Sequence, residues 1–144
     1  MRLLIERVKK ANCIIDGISH SSIDEGLLVY VAFTSLDNKE LIDKAVSKLI
    51  KLRIFSDSND KMNLSVKDVN GMILVISSFS LYGDTKGNNR PSFTKSLSYN
   101  DALPLYNYFI SKLENEVIAK TGVFGADMKI EAINDGPVSI IMDL

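Results

Sequence analysis

Asn134-Asp135-Gly136-Pro137-Val138-Ser139 lies between two apolar runs, Met128 to Ile133 and Val138 to Met142. Gly136 can take backbone angles closed to residues that carry a Cβ, and Pro137 fixes φ and removes a backbone donor. The Gly136–Pro137 bond is also the ordinary place for a cis peptide. The hexapeptide reads as a rigid corner between two strands that close the chain. Ordinary turn chemistry accounts for such a run by itself. Whether this corner does more depends on what the rest of the chain places around it.

Toward the N-terminus, residues 2–33 read as a β meander. Leu3, Ile5, Ile14 and Ile15 sit on short apolar runs broken at Asp16-Gly17 and Asp24-Glu25-Gly26. Leu27 to Phe33 is nearly continuous apolar sequence, which suits a strand covered on both faces. Asp37 followed by Glu40 has the spacing of a capping box. Leu41, Ile42, Ala45, Val46, Leu49 and Ile50 then repeat at the helical period, with Lys44, Lys48 and Lys51 on the polar face. Met72 to Ile76 is a buried strand ending in Ser77-Ser78-Phe79-Ser80-Leu81. A second helix is expected after Ser98 and Asp101, with Leu105, Phe109, Leu113 and Val117 as its apolar stripe. Pro104 belongs in a first turn, so this helix is expected to begin near Ala102 or Leu103 and to end at Thr121-Gly122. Strands over 126–133 and 138–142 follow.

The whole, 1–144, reads as a single α+β domain without repeat or linker. Its composition is that of a soluble globular protein, 46% apolar and 24% charged. A net charge of −1 argues against coating nucleic acid by bulk electrostatics but leaves room for a local basic patch. One cysteine, Cys13, forbids an internal disulfide and reads as a small apolar filler in a strand. The N-terminus meets charge before any long apolar run, so neither a signal peptide nor a membrane span is expected, and the location reads as cytoplasmic.

The chemical inventory excludes more than it includes. His20 is the only histidine and reads as a surface residue in a polar turn. One His and one Cys leave no metal site, and no phosphate-cradling or dinucleotide loop is present, so no cofactor is expected. Ser77, Ser78 and Ser80 have no activating base nearby in sequence. What remains is a site of backbone donors, hydroxyls and tight geometry, sufficient for an already reactive substrate such as an ester. The longest polar connection, residues 82–96, carries Lys86, Arg90 and Lys95. These read either as a solvated loop or as contacts to phosphate that carry no sequence information.

Short matches along nearly the whole chain now acquire a common meaning. They are Arg7-Val8 with Ala11, Gly26-Leu27-Leu28-Val29, Arg53-Ile54-Phe55-Ser56-Asp57, Lys61-Met62-Asn63-Leu64 and Arg90-Pro91-Ser92-Phe93. Thr121-Gly122 with Phe124, Ala126-Asp127-Met128 and Asn134 to Val138 complete the series. In this order and spacing the chain resembles the D-aminoacyl-tRNA deacylases. Their two marker motifs, Ser-Gln-x-Thr-Leu and Asn-x-Gly-Pro-Val/Phe-Thr, fall on Ser77–Leu81 and Asn134–Ser139. Three positions depart: Ser78 stands for Gln, Ser80 for Thr and Ser139 for Thr. The hydroxyl exchanges are mild, whereas Ser78 loses an amide that both donates and accepts.

The resemblance implies the family's fold, a mostly antiparallel, barrel-like sheet with two main helices. It implies a cofactor-free homodimeric hydrolase that removes D-amino acids, and mischarged glycine, from tRNA. Gly136 and Pro137, in cis, would reach into the partner subunit's site and screen out L-residues. Ser77, Ser78, Phe79 and Ser80 would form the floor beside the ester, with the Phe79 amide a candidate donor. Asn134, Asp135 and Ser139 would hold the corner, and Lys86 and Arg90 would touch phosphates. Catalysis would lean on main-chain atoms and the terminal 2′-hydroxyl, or else on Ser80 as a nucleophile. The competing expectations are a non-catalytic tRNA- or adenosine-binding dimer and a hydrolase of some other small ester.

Overall fold

Pairing begins with β1 (Arg2–Ile15), which turns at Asp16 and Gly17, both at positive φ, into β2 (Ile18–Ile23). The computed structural model describes residues 1–87 and 89–144. β3 (Gly26–Ala32) continues the β2 arm: Ala11 faces Ile23 and Val8 faces Gly26, so the register carries unbroken across Asp24-Glu25. Residues 2–32 therefore form one long hairpin with an interrupted second arm, where a meander was expected. The polar pair breaks the ladder without shifting it. His20 is exposed, as expected, but lies on β2 rather than in a turn.

α1 (Lys39–Ile50) follows and buries Ile42, Ala45, Val46, Leu49 and Ile50. Its cap is Asn38, whose side chain accepts from the Leu41 amide at 2.9 Å. Asp37 does not open the helix, because its carboxylate is already engaged by the Met1 ammonium and the Thr34 amide. The short hairpin of β4 (Phe55–Ser56) and β5 (Met62–Leu64) precedes β6 (Met72–Ser77), which runs parallel to β3.

α2 (Tyr99–Glu114) is capped by Ser98, as the Ser98/Asp101 spacing suggests, but differs at both ends from expectation. It starts before Ala102, and Pro104 is accommodated inside it. The N–H that Pro104 lacks would have served the carbonyl of exposed Asn100, which solvent can reach. The helix stops at Glu114 because Ala119–Thr121 is recruited as β7, parallel to β6. Hydrogen bonds from Ile73 N to Ile118 O and from Gly122 N to Val75 O, both 3.0 Å, secure that edge.

β8 (Lys129–Asp143) runs antiparallel along almost the full length of β1. The two expected closing strands are thus one strand, and the corner is an interruption within it. The sheet order is β2-β1-β3-β6-β7 with β8 on β1, giving a mixed but mostly antiparallel, nearly closed barrel-like sheet with two helices.

β3 is covered on both faces, as its unbroken apolar run suggests. Leu27, Val29 and Val31 face a core shared with Ile73, Val75 and both helices, where Phe109 and Leu113 are fully buried. Leu28 faces a smaller cluster with Cys13, Ile23, Leu74 and Ile76. Cys13 is buried there, and burial pushes its thiol pKa up, consistent with a packing role. Among the described residues, no helix is long and apolar enough to cross a membrane.

Candidate active site

β3 and β6 end side by side, with Val31 facing Ser77. Just beyond, the Ser78 amide donates to Val31 O at 2.9 Å and the chain tightens into a 3₁₀ turn, Phe79–Tyr82. A cleft of about 400 Å³ opens at this point, floored by Ser77 to Ser80 and walled by Leu97, Tyr99 and Phe124. Among the described residues, no charged side chain lines it. Ser78 Oγ and Ser80 Oγ are 2.9 Å apart and share a hydrogen bond. The first amides of the turn, Phe79 and Ser80, meet no acceptor among the described residues, as expected of N–H groups at a helical start. Phe79 is 61% exposed, and its ring packs edge-to-face on Phe93 with centroids 5.1 Å apart.

Behind the cleft, Tyr106 donates from its hydroxyl to Val75 O at 3.3 Å. Burial drives its pKa far up, so the hydroxyl stays protonated and neutral. Among the described residues, no histidine or carboxylate lines the cleft to activate a serine. Its chemistry is that of free main-chain donors and hydroxyls around an apolar slot. Such a site can position and polarise an ester without supplying a protein base.

The Asn134–Ser139 corner is built on the sheet. Glu6 pairs with Ser139 and Val8 with Asn134, so residues 135–138 bulge out opposite the single residue Arg7. The Gly136–Pro137 peptide is cis and Gly136 has φ 125°. Asp135 forms an ion pair with Arg7 at 3.0 Å and approaches Lys9 at 3.5 Å. Asn134 Nδ2 and Ser139 Oγ both reach Glu6 Oε1 at 3.4 Å, tying the two ends of the bulge to one carboxylate.

The corner does not line its own chain's cleft. It sits opposite Arg7, which pairs with Leu27 near the start of β3, whereas Arg2 pairs with Ala32 at the cleft end. Those five residues amount to ~17 Å along the strand. Lys86 is exposed and does not line the cleft, and its amide is bonded to Asp84 Oδ1 at 3.0 Å. Arg90 is exposed further along the same loop.

A sequence model of the D-Tyr-tRNA(Tyr) deacylase family matches residues 4–143. The chain belongs to that family. A D-aminoacyl-tRNA deacylase from Flavobacterium johnsoniae is 48% identical over 145 residues, covering 99% of this chain and 97% of the relative. A solved structure described as a c-Myc DNA unwinding element binding protein superposes with a TM-score of 0.95 at 30% identity, covering 100% of this chain and 99% of the other. A structure described as a probable eukaryotic D-amino acid tRNA deacylase superposes at 0.83 and 18% identity, covering 99% and 98%, and speaks for the fold alone.

Within this deacylase fold, the expected site residues fall into two groups. Ser77, Ser78, Phe79 and Ser80 converge on the cleft, while Asn134, Asp135, Gly136, Pro137 and Ser139 form the bulge. Two residues that hold the bulge had no assigned role in the sequence reading, Arg7 and Glu6. Arg7 is only 11% exposed in its side chain and also donates from Nη1 to Ile54 O at 2.6 Å. Because β1 also carries Arg2, Glu6, Lys9 and Lys10, charge alone does not single Arg7 out, and no local signal marks it.

Proposed function

We propose that the chain hydrolyses the ester of D-aminoacyl-tRNA, releasing the D-amino acid and intact tRNA as chiral proofreading in the cytoplasm. The observation that carries this reading is the separation of two complementary halves of a site. The cleft offers hydroxyls and free amides without a base, and the Gly136–Pro137 corner lies ~17 Å along the strand from it. A homodimer brings one chain's corner to the other chain's cleft. Exposed Ile133 and Ile141 on β8 supply apolar surface for such an association.

In this arrangement the corner excludes an L-side chain by collision, and a D-residue or glycine fits. Glycyl-tRNA is therefore a second substrate. The Phe79 amide polarises the ester carbonyl, with the Ser80 amide beside it, and the 2′-hydroxyl of the terminal adenosine assists water. Asn134, Asp135 and Ser139 keep the corner in register, and Lys86 and Arg90 meet phosphates.

Single-turnover hydrolysis of matched D-Tyr-tRNA and L-Tyr-tRNA by the purified protein tests the reading. Release from the D ester alone supports it, and equal release from both removes the chiral screen. Ser78 favours a second reading, a tRNA-binding dimer without turnover, because the family's glutamine amide is missing there. Binding of tRNA without release from either ester would establish that alternative.

A further inference from the structure

A second concavity adjoins the cleft across the 3₁₀ turn. Ser80 lines the cleft, and two residues on, Tyr82 lines a groove with Arg2, Asp84, Lys86 and Lys95. At the rise of a 3₁₀ helix that step is ~4 Å. The two concavities differ sharply in charge. Among the described residues the cleft has no charged lining side chain, whereas the groove is lined by Arg2, Lys86 and Lys95 with Asp84, and Arg2 is paired in turn with Asp143 at 2.7 Å.

Two of the cations are held in ion pairs, Arg2 by Asp143 and Lys95 by Asp84, and the backbone of Lys86 is tethered beside them. Arg2 donates from Nη1 to Leu81 O at 3.0 Å, which docks its guanidinium on the turn, and it lies 5.2 Å from the centre of the Tyr82 ring. Asp84 fixes the opposite wall: Oδ1 accepts from the Lys86 amide and Oδ2 from Lys95 Nζ, both at 3.0 Å. Each ammonium carries three donors, so Lys95 keeps two free beyond its bond to Asp84. The Lys95–Asp84 pair lies at the surface, where ion pairs are weak, and does not bar a competing anion.

We propose that this groove receives the phosphodiester that immediately precedes the terminal adenosine. The inference rests on the reading that the cleft takes the aminoacylated end of tRNA. An aminoacyl-adenosine presents an ester, a ribose and a base, none with a fixed negative charge. The first anion along the strand is the phosphate joining it to the preceding nucleotide. The molecule offers the same order: an uncharged slot, one short turn, then a basic groove. Lys86 and Lys95 supply the charge as ammonium donors, while Arg2, its fork closed on Asp143, shapes the wall behind them.

The test uses two substrates, D-Tyr-tRNA and 2′(3′)-O-D-tyrosyl-adenosine, which has no phosphate. In Lys86→Gln/Lys95→Gln, the ratio of kcat/KM for the tRNA ester over the adenosine ester falls about tenfold. The salt dependence on tRNA flattens by ~0.7 in log–log slope for one lost contact on a single strand. Asp84→Asn retains an acceptor for the Lys86 amide but removes the negative charge, so the ratio rises. A structural effect on the loop would move both variants in the same direction. That result, or a ratio unmoved in both, overturns the proposal.

Should the wild type hydrolyse neither ester, the functional reading fails while the groove remains open to test. Fluorescence anisotropy would then compare the trinucleotide CCA with an analogue whose last linkage is a neutral methylphosphonate. Weaker binding of the neutral form, with the difference reduced in the double lysine variant, supports the groove. Equal binding of the two overturns it.

Discussion

Arg7 clasps Asp135 at two points: its Nε lies 3.1 Å from the Asp135 carbonyl oxygen and 3.0 Å from Oδ2. The same guanidinium reaches Ile54 O through Nη1, so the corner is braced against the segment between α1 and β4. Hydrogen bonds from a charged donor contribute about 1.5–3 kcal/mol each. Arg7→Ala is expected to loosen the corner and raise the ratio of L- to D-ester hydrolysis roughly 10- to 100-fold, taking about 1.4 kcal/mol per decade. Single-turnover assays on both esters check this. An unchanged ratio in a folded protein would show that the clasp is only structural.

Ser80 shares a hydrogen bond with Ser78 but faces no base in the cleft. Without activation a serine hydroxyl is a weak nucleophile. Ser80→Ala should therefore keep kcat/KM for the D ester within roughly a few-fold, whereas loss of a covalent nucleophile costs orders of magnitude. Abolished turnover in a correctly folded protein would reinstate Ser80 as the attacking group. Ser78→Gln, by contrast, restores an amide to the cleft. It should raise hydrolysis without a matching change in tRNA affinity, and a fall would mean that the cleft is shaped around the smaller side chain.

Gly26 marks where β3 meets β6. A Cβ there would overlap the Met72 carbonyl and come within 2.7 Å of the Met72 nitrogen, backbone atoms that cannot rotate away. Gly26→Ala should cost about 3 kcal/mol or more, within the range that such packing violations produce. Urea unfolding measures it. A loss below about 1 kcal/mol would mean that the parallel pairing yields locally.

Acid should weaken the fold through two surface carboxylates. Asp57 is held below its usual pKa chiefly by the Asn63 side chain and then by the amides of Asn59 and Lys61. Asp68 is held down by the Ser65 hydroxyl and then the Ser65 amide. With the folded values depressed, the unfolded chain binds protons first. This contribution to stability is present above the unfolded value of about 3.9 and is lost as pH falls through the folded values. Thermal midpoints measured from pH 7 down to 3 should drop on that limb, and Asp57→Asn should make the limb shallower. An unaltered limb in the variant would remove Asp57 from the account.

Much of the architecture was legible because side-chain periodicity is local. The both-faces-buried character of β3, the amphipathic face of α1 and the Ser98 cap follow from residues within a few positions of one another. The misplaced boundaries share one cause, competition from distant partners. Asp37 lost its capping role to the Met1 ammonium, and Val117 to Thr121 left helical sequence because β6 presented an open edge. The motif residues were likewise legible as types, but not as two groups at separate places on the chain.

By itself the sequence determined the apolar periods, the conformational latitude at Gly136, the absence of a base beside the serines and membership of the deacylase pattern. Only the tertiary structure decided that 129–143 is one strand whose corner bulges over Arg7, and that charge is partitioned between an empty-of-charge cleft and a basic groove. The physical reason is range. Periodicity and turn chemistry act over a few residues, whereas strand register and electrostatic grouping join residues more than a hundred positions apart, such as Arg7 and Asp135. Those long-range pairings are settled by which edges and charges remain unsatisfied once the local elements have formed.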